Sequence, residues 1–228
     1  EASYPGATEI CDEVDNDCDG TVDPDDELIG EEEACAATSC LDVLTTRTGS
    51  PSDGSYWIDA DGDGTGTEVY CDMSTDGGGY TFLKVDYGST AYAPDAETYC
   101  ANLGMQLFIP RTEDHKDVAI DLANDSSIGP GADISYMRIL GIYPVSKGNK
   151  CKNVAFNSGS CTGWGASDGG PYWVGTDTSI TEPNGDNDTT ASMYYTWSGY
   201  DISWYNDVVS PGYGSQYFMC DTADMTGP

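Results

Sequence analysis

YCANLGMQLFIPRTEDHKDVAIDLA, residues 99–123, is the stretch on which the reading of the fold turns. It completes one helix signal, DAETYCANLGM (95–105), and carries most of a second, TEDHKDVAIDLAN (112–124). Thr112 supplies an oxygen suited to cap a helix N-terminus, and Glu113 and Asp114 put carboxylates in the first turn, where the helix dipole favours them. On either side the chain breaks into short strand-like pieces separated by Gly-rich turns. Before the helices these are SYWID (55–59), EVYCDM (68–73) and YTFLKV (80–85). After residue 131 they are YMRILGIY (136–143), PYWVG (171–175), MYYTW (193–197), ISWYNDV (202–208) and YFMCD (217–221). The pattern predicts an α+β fold, rich in loops, with two short helices and small antiparallel sheets.

The 228 residues suffice for one large or two modest domains, and 38% hydrophobic residues can build a core. Charge is the strongest compositional signal. Eight Lys and Arg stand against 40 Asp and Glu, a net charge of −32, which would repel nucleic acid and anionic membrane surfaces. Such acidity is either a solvated coat or a supply of ligands for hard cations. Asp residues at alternate positions next to Gly favour the second reading. No apolar run reaches membrane-spanning length, so membrane insertion is not expected. No leader peptide is visible and the chain opens on Glu1, which reads as a processed, secreted or cell-surface product.

Nine cysteines (11, 18, 35, 40, 71, 100, 151, 161 and 220) suit a disulfide framework in an oxidising compartment, with one left over. Zinc is disfavoured by a single histidine, His115, and the lack of any CxxC pair.

Two segments have the spacing of a calcium loop. In residues 11–26, Asp15, Asp17 and Asp19 alternate, Gly20 follows, and Thr21, Asp23 and Asp26 complete the positions of a twelve-residue loop. Alternation turns the carboxylates inward, glycine permits the bend, the seventh position offers a carbonyl, and a late acid closes the shell. Cys11 and Cys18 lie seven apart and are placed to staple this loop. The segment resembles the short Cys- and Asp-rich calcium repeat of bacterial surface proteins. In DADGDGTGTEVY (59–70), Asp59, Asp61 and Asp63 alternate before Gly64 and Thr65. Tyr70 stands where a closing acid belongs, with Glu68 nearby. This second loop reads equally as a Gly-Asp hairpin that needs no metal.

The second loop sits in SCLDVLTTRTGSPSDGSYWIDADGDGTGTEVYCDMSTDGGGYTFLKV (39–85), which resembles the opening subdomain of fibrinogen-related domains. The resemblance rests on Cys40 before an aliphatic stretch, the DGSYWID and VYCDM strands, and Gly77–Gly79 before an aromatic residue. It implies a Cys40–Cys71 disulfide. The family's C-terminal half is not visible, so its ligand residues are not carried over.

Residues 93–221 resemble a C-type lectin domain. The quoted stretch matches that family's first helix, following strand and second helix, and EPNGDND (182–188), WYNDV (204–208) and YFMCD follow in the family's order. The resemblance implies Cys100–Cys220, with Cys151–Cys161 closing a local loop and Cys35 free or paired with another molecule. It also implies a sugar-binding calcium held by Glu182, Asn184, Asn206 and Asp207, with Pro183 cis and a further acid from Asp186 or Asp188. A vicinal diol would fill the open coordination places, and the Glu-Pro-Asn form implies mannose-type glycans. Tyr205 departs from the pattern by separating Trp204 from Asn206, where a one-residue slip would turn side chains to the other face unless a bulge absorbs it. The many aromatics after residue 160 are core by default; Trp197 and Tyr205 are the candidates to stack on a sugar.

These readings divide the chain into an acidic calcium motif or linker (1–34), a fibrinogen-related β subdomain (35–90) and a lectin-like domain (91–228), with 35–228 able to pack as one unit. The expected function is extracellular calcium-dependent carbohydrate binding. The rival is a structural subunit of a calcium-stabilised filament or surface assembly, whose partners are neighbouring subunits instead of glycans. Catalysis is not expected, because His115 has no nucleophile nearby in sequence and no carboxylate pair stands out.

Overall fold

The computed structural model describes residues 3–5, 7, 11, 15, 18, 28–47, 49–144, 164–173, 194–198, 201–205 and 214–224. Its α+β chain divides into two compact units, Glu1–Thr81 and Phe82–Pro228. The observed division lies inside one continuous thirteen-residue strand, so no linker marks it.

In the first unit, helix α1 spans Cys40–Thr46, strand β1 Gly54–Ile58 and strand β2 Thr67–Asp72. Helix α1 is an addition to the expected elements. Ser39 caps it, its hydroxyl accepting the Asp42 N–H at 3.1 Å. The strands form an antiparallel hairpin in which Gly54 pairs with Cys71 and Ile58 with Thr67. The alternating buried residues Tyr56, Ile58, Val69 and Cys71 turn one face of this hairpin inward, together with Val43 and the Cys40–Cys71 disulfide. Beyond β2, Asp72 accepts the N–H groups of Ser74 and Thr75, both at 2.9 Å, and Asp53 accepts that of Met73 at 2.7 Å. The turn they fix ends on Gly78 at φ 77°, where a Cβ would lie 2.1 Å from the Met73 carbonyl oxygen, so only glycine fits.

Cys11 is bonded to Cys35. This corrects two expectations: Cys35 is not the leftover residue, and Cys11 is not stapled to Cys18, which is free and exposed. Cys35 ends a 3-10 turn (Glu33–Cys35) where the chain hydrogen-bonds along β1, with Gly30 and Ala37 bonded to the backbone of Trp57. That buried, ordered position accounts for the partner found. Cys151 and Cys161 lie outside the described residues.

The second unit opens on strand β3, Tyr80–Tyr92, most of which it contains. Then come helix α2 (Ala93–Ala101), strand β4 (Gln106–Leu107) and helix α3 (Glu113–Asn124). Strands β5 (Ile142–Pro144) and β6 (Trp164–Ala166) pair with each other, as do β7 (Tyr194–Ser198) and β8 (Asp201–Tyr205). Strand β9 (Gly214–Asp221) pairs antiparallel with both β3 and β4. Tyr136 and Met137 of YMRILGIY belong to a 3-10 turn, Ile134–Met137, and its strand begins only at Ile142. Pro171, Tyr172 and Trp173 of PYWVG are irregular.

Helix α3 begins as its sequence predicts, with the Thr112 hydroxyl accepting the His115 N–H at 3.0 Å. His115, Ala119, Leu122 and Ala123 form its buried stripe, and Ala93, Ala96 and Cys100 that of α2. Cys100 is bonded to Cys220 in β9. The core between these elements includes Phe82, Leu107, Phe108, Ile109, Met137, Leu140 and Phe218.

Lys84 is buried in this core. Its Nζ donates to the carbonyls of Leu122 (2.9 Å), Asp125 (2.8 Å) and Ile128 (2.8 Å) and lies 4.7 Å from the Tyr136 ring centroid. One ammonium thus gathers the Leu122 carbonyl in the last turn of α3, which also accepts the Asp125 N–H, and two carbonyls just beyond the helix. Lys84→Met keeps most of the stem and removes all three donors. It should destabilise the unit by about 3 kcal/mol, since charge-assisted bonds contribute about 1.5–3 kcal/mol each and the buried ammonium's own desolvation cost is recovered. Thermal melts should show a fall of roughly 6–12 °C; an unchanged melting temperature would contradict this role.

Candidate metal and ligand sites

The turn between β1 and β2 gathers carboxylates within a few residues. Asp59 follows β1 directly, its own N–H held by the Ala37 carbonyl at 2.7 Å. Its Oδ1 accepts the N–H groups of Gly62 (2.9 Å) and Asp63 (3.2 Å), and its Oδ2 that of Gly64 (2.9 Å). Asp61 accepts the Asp63 N–H at 3.2 Å, and Asp63 accepts that of Thr65 at 2.8 Å. Gly62 and Gly64 have φ of 72° and 89° with open space where a Cβ would stand, so backbone conformation is what calls for glycine here. The Gly64 N–H does most to hold the Asp59 carboxyl below its ordinary range; desolvation opposes it, and hydrogen bonds from Gly62, Asp61 and Asp63 add smaller lowering effects.

Asp59, Asp61 and Asp63 each bring one carboxylate oxygen within 4.8 Å of the others. Calcium binds oxygen at about 2.3–2.6 Å, so ligands on opposite sides of the ion lie about 4.6–5.2 Å apart. All three oxygens can therefore reach one oxygen-liganded divalent cation. Asp59 is half-buried at the base of the turn, and Asp61 and Asp63 face solvent.

Of the first predicted loop, Asp15 is half-buried on irregular backbone, while Asp17, Asp19, Thr21, Asp23 and Asp26 lie outside the described residues. Glu182, Asn184, Asp186, Asp188, Asn206 and Asp207 also lie outside them. Trp197 and Tyr205 belong to the β7–β8 hairpin, where Trp197 is opposite Ile202 and Tyr205 opposite Tyr194. The ladder runs from Ser198/Asp201 to Tyr194/Tyr205 in regular register.

A buried polar cluster in the second unit had no sequence signal. Arg111, 6% exposed, pairs with Asp168 and donates to the Pro171 carbonyl at 2.6 Å. Asp221 at the end of β9 is 4% exposed, and its Oδ2 accepts the Ile109 N–H at 3.1 Å. Burial pushes its carboxyl up to about 8, tempered by the Arg111 charge. Glu97 accepts the Tyr143 hydroxyl at 2.7 Å, and burial raises its carboxyl as well. Burial also works against ionised Asp168, but the Arg111 guanidinium and the Gly170 N–H hold its carboxyl below the usual range. Arg111 and Asp168 are 57 residues apart, so no local spacing could reveal the pair. His115 is 1% exposed and stacks with Phe82 and Phe108, and its Nδ1 accepts the Arg111 N–H at 3.2 Å.

Two family models match parts of the chain. A metal-binding motif, Cu-binding MopE, matches residues 1–24. The C-terminal globular domain of fibrinogen beta and gamma chains matches residues 37–109. The chain is therefore similar to these families over about a tenth and a third of its length. Neither is a C-type lectin family. No curated protein matches the chain. Three disulfides and the fibrinogen-like segment fit an extracellular or secreted protein. Among the described residues no helix is long and apolar enough to cross a membrane.

Proposed function

We propose that this is an extracellular protein that binds calcium through carboxylate loops and uses it to bind carbohydrate. The observation that carries the calcium reading is the convergence of Asp59, Asp61 and Asp63 oxygens within 4.8 Å on the β1–β2 turn. Donor chemistry supports a hard cation over the copper in the name of the N-terminal motif family. Residues 1–24 hold neither histidine nor methionine, Cys11 is committed to a disulfide, and Cys18 is the single free thiol among many carboxylates, whereas copper sites draw on several imidazole, thiolate or thioether ligands. The acids of that segment suit calcium.

Calcium in hundredfold excess over its Kd should stabilise the fold by about 2.7 kcal/mol, and chelator should reverse the gain. Terbium luminescence and calcium-dependent melting of wild type against an Asp61→Asn, Asp63→Asn variant locate the ion. If the variant binds as tightly as wild type, the second loop is a plain hairpin.

Carbohydrate binding is supported by the resemblance of residues 93–221 to C-type lectin domains and by their Glu182-Pro183-Asn184 triplet. Binding rather than catalysis is favoured because the lone histidine serves as a packing and hydrogen-bonding residue between Phe82 and Phe108. Mannose-type glycans should bind in calcium, release in chelator, and fail to bind Asn184→Ala or Asp207→Ala. Glycan binding that survives both substitutions would refute the site. Calcium-driven polymerisation that tolerates both would favour an assembly subunit.

A further inference from the structure

The described surface of the second unit is nearly without available positive charge. Lys84, Arg111 and Lys116 are 6%, 6% and 7% exposed and Arg138 is half-buried, while Asp86, Asp95, Glu113, Asp114, Asp117 and Asp121 are exposed. Three of the four large hydrophobic side chains exposed among the described residues cluster in sequence here: Tyr87, Tyr92 and Tyr99.

Two of them form a corner. The rings of Tyr87 on β3 and Tyr99 on α2 meet edge to face, with centroids 5.9 Å apart and planes at 80°. Both lean on Phe218 of β9, at 5.9 and 5.6 Å, and Phe218 is fully buried beneath them. Tyr87 and Tyr99 remain 39% and 37% exposed. Asp95 lies one helical turn before Tyr99, on the same side of α2. It is anchored by accepting the Tyr92 N–H at 3.1 Å.

We infer that the Tyr87–Tyr99 corner is a docking site for a lysine or arginine side chain on a basic segment of a partner protein. The argument is charge complementarity at two scales. Aromatic ring faces carry negative potential, and a cation within about 6 Å of a centroid is attracted to it. Rings set at nearly a right angle can both approach one cation, and Phe218 keeps the pair from collapsing inward. Among the described residues around them the exposed charge is carboxylate, which steers a basic segment in and repels an acidic one. A sugar ring would be better served by a flat platform than by perpendicular rings. The inference is separate from the calcium loop and from the glycan residues, and it stands without them.

The test is a titration with a short arginine-containing peptide and its glutamine counterpart, read by the tyrosine ring resonances. The arginine peptide should shift Tyr87 and Tyr99, and the glutamine peptide should not. Tyr87→Phe with Tyr99→Phe should bind within about twofold of wild type, and Tyr87→Leu with Tyr99→Leu should bind about tenfold more weakly. Equal binding by the leucine variant would overturn the proposal, because only general attraction to an acidic surface would remain. Shifts confined to other residues, or a response to glycan and none to arginine, would overturn it too. If the leucine variant does not fold, the wild-type ring shifts and the phenylalanine variant decide.

Discussion

Replacing Cys100 and Cys220 together by alanine is expected to lower the stability of the second unit by about 5 kcal/mol. The two residues are 120 apart in sequence, and the loop-closure entropy removed from the unfolded chain grows with the logarithm of that separation. Both are fully buried, so the lost packing adds to the entropic effect. Cys40 and Cys71, 31 apart, should contribute about 4 kcal/mol on the same basis. Denaturant unfolding of each double variant without reductant measures the difference. A loss below about 1 kcal/mol for the Cys100 and Cys220 pair would mean that the sheet and α2 are held together without it.

Asp221→Asn is expected to stabilise the protein at neutral pH by about 3 kcal/mol. The Asp221 carboxyl sits at about 8 in the folded chain, well above the ordinary 3.8, because burial disfavours its charged form. The sign follows from linkage. Below pH 4 the acid is neutral whether folded or unfolded and carries no penalty. Between about 4 and 8 the unfolded chain releases the proton while the folded chain keeps it, so stability falls as pH rises. Above about 8 the penalty levels off. Every tenfold difference in proton affinity between the folded and unfolded chain corresponds to about 1.4 kcal/mol, and relaxation around the charge brings the value at pH 7 below the full product. Asparagine still accepts the Ile109 N–H and does not ionise, so its stability profile should be flat where that of wild type slopes. Parallel slopes from pH 4 to 8 would show that Asp221 is ionised in the fold.

The parts of the structure that could be read in the sequence are those decided locally. Helix α3 starts at the expected cap because Thr112 bonds the N–H three residues ahead, a contact written within one turn. The β1–β2 hairpin and its aspartate turn are legible for the same reason. Helix α1 had a comparable signal in Ser39 and Asp42 but is only seven residues long, too short to show a helical period of its own. Strand β3 runs past Val85 through the polar DYGSTAY because its partner β9 continues alongside, with a shift in register between Asp86 and Ala91. No property of that segment alone announces this. The Cys11–Cys35 bond and the Arg111, Asp168 and Asp221 cluster depend on which distant segments meet, which spacing does not encode.

Strand β9 lies between β3 and β4 although it is the last strand of its unit. A polypeptide emerging residue by residue from a ribosome or a translocation pore therefore cannot complete this sheet until Gly214–Asp221 has come through. Strand β3 must wait for its neighbour while more than a hundred residues are still to be added. The order of the strands itself delays closure, which would keep the second unit threadable if the chain is exported through a pore. The thiols of Cys100 and Cys220 can meet only after β9 has emerged, and oxidation can then lock them.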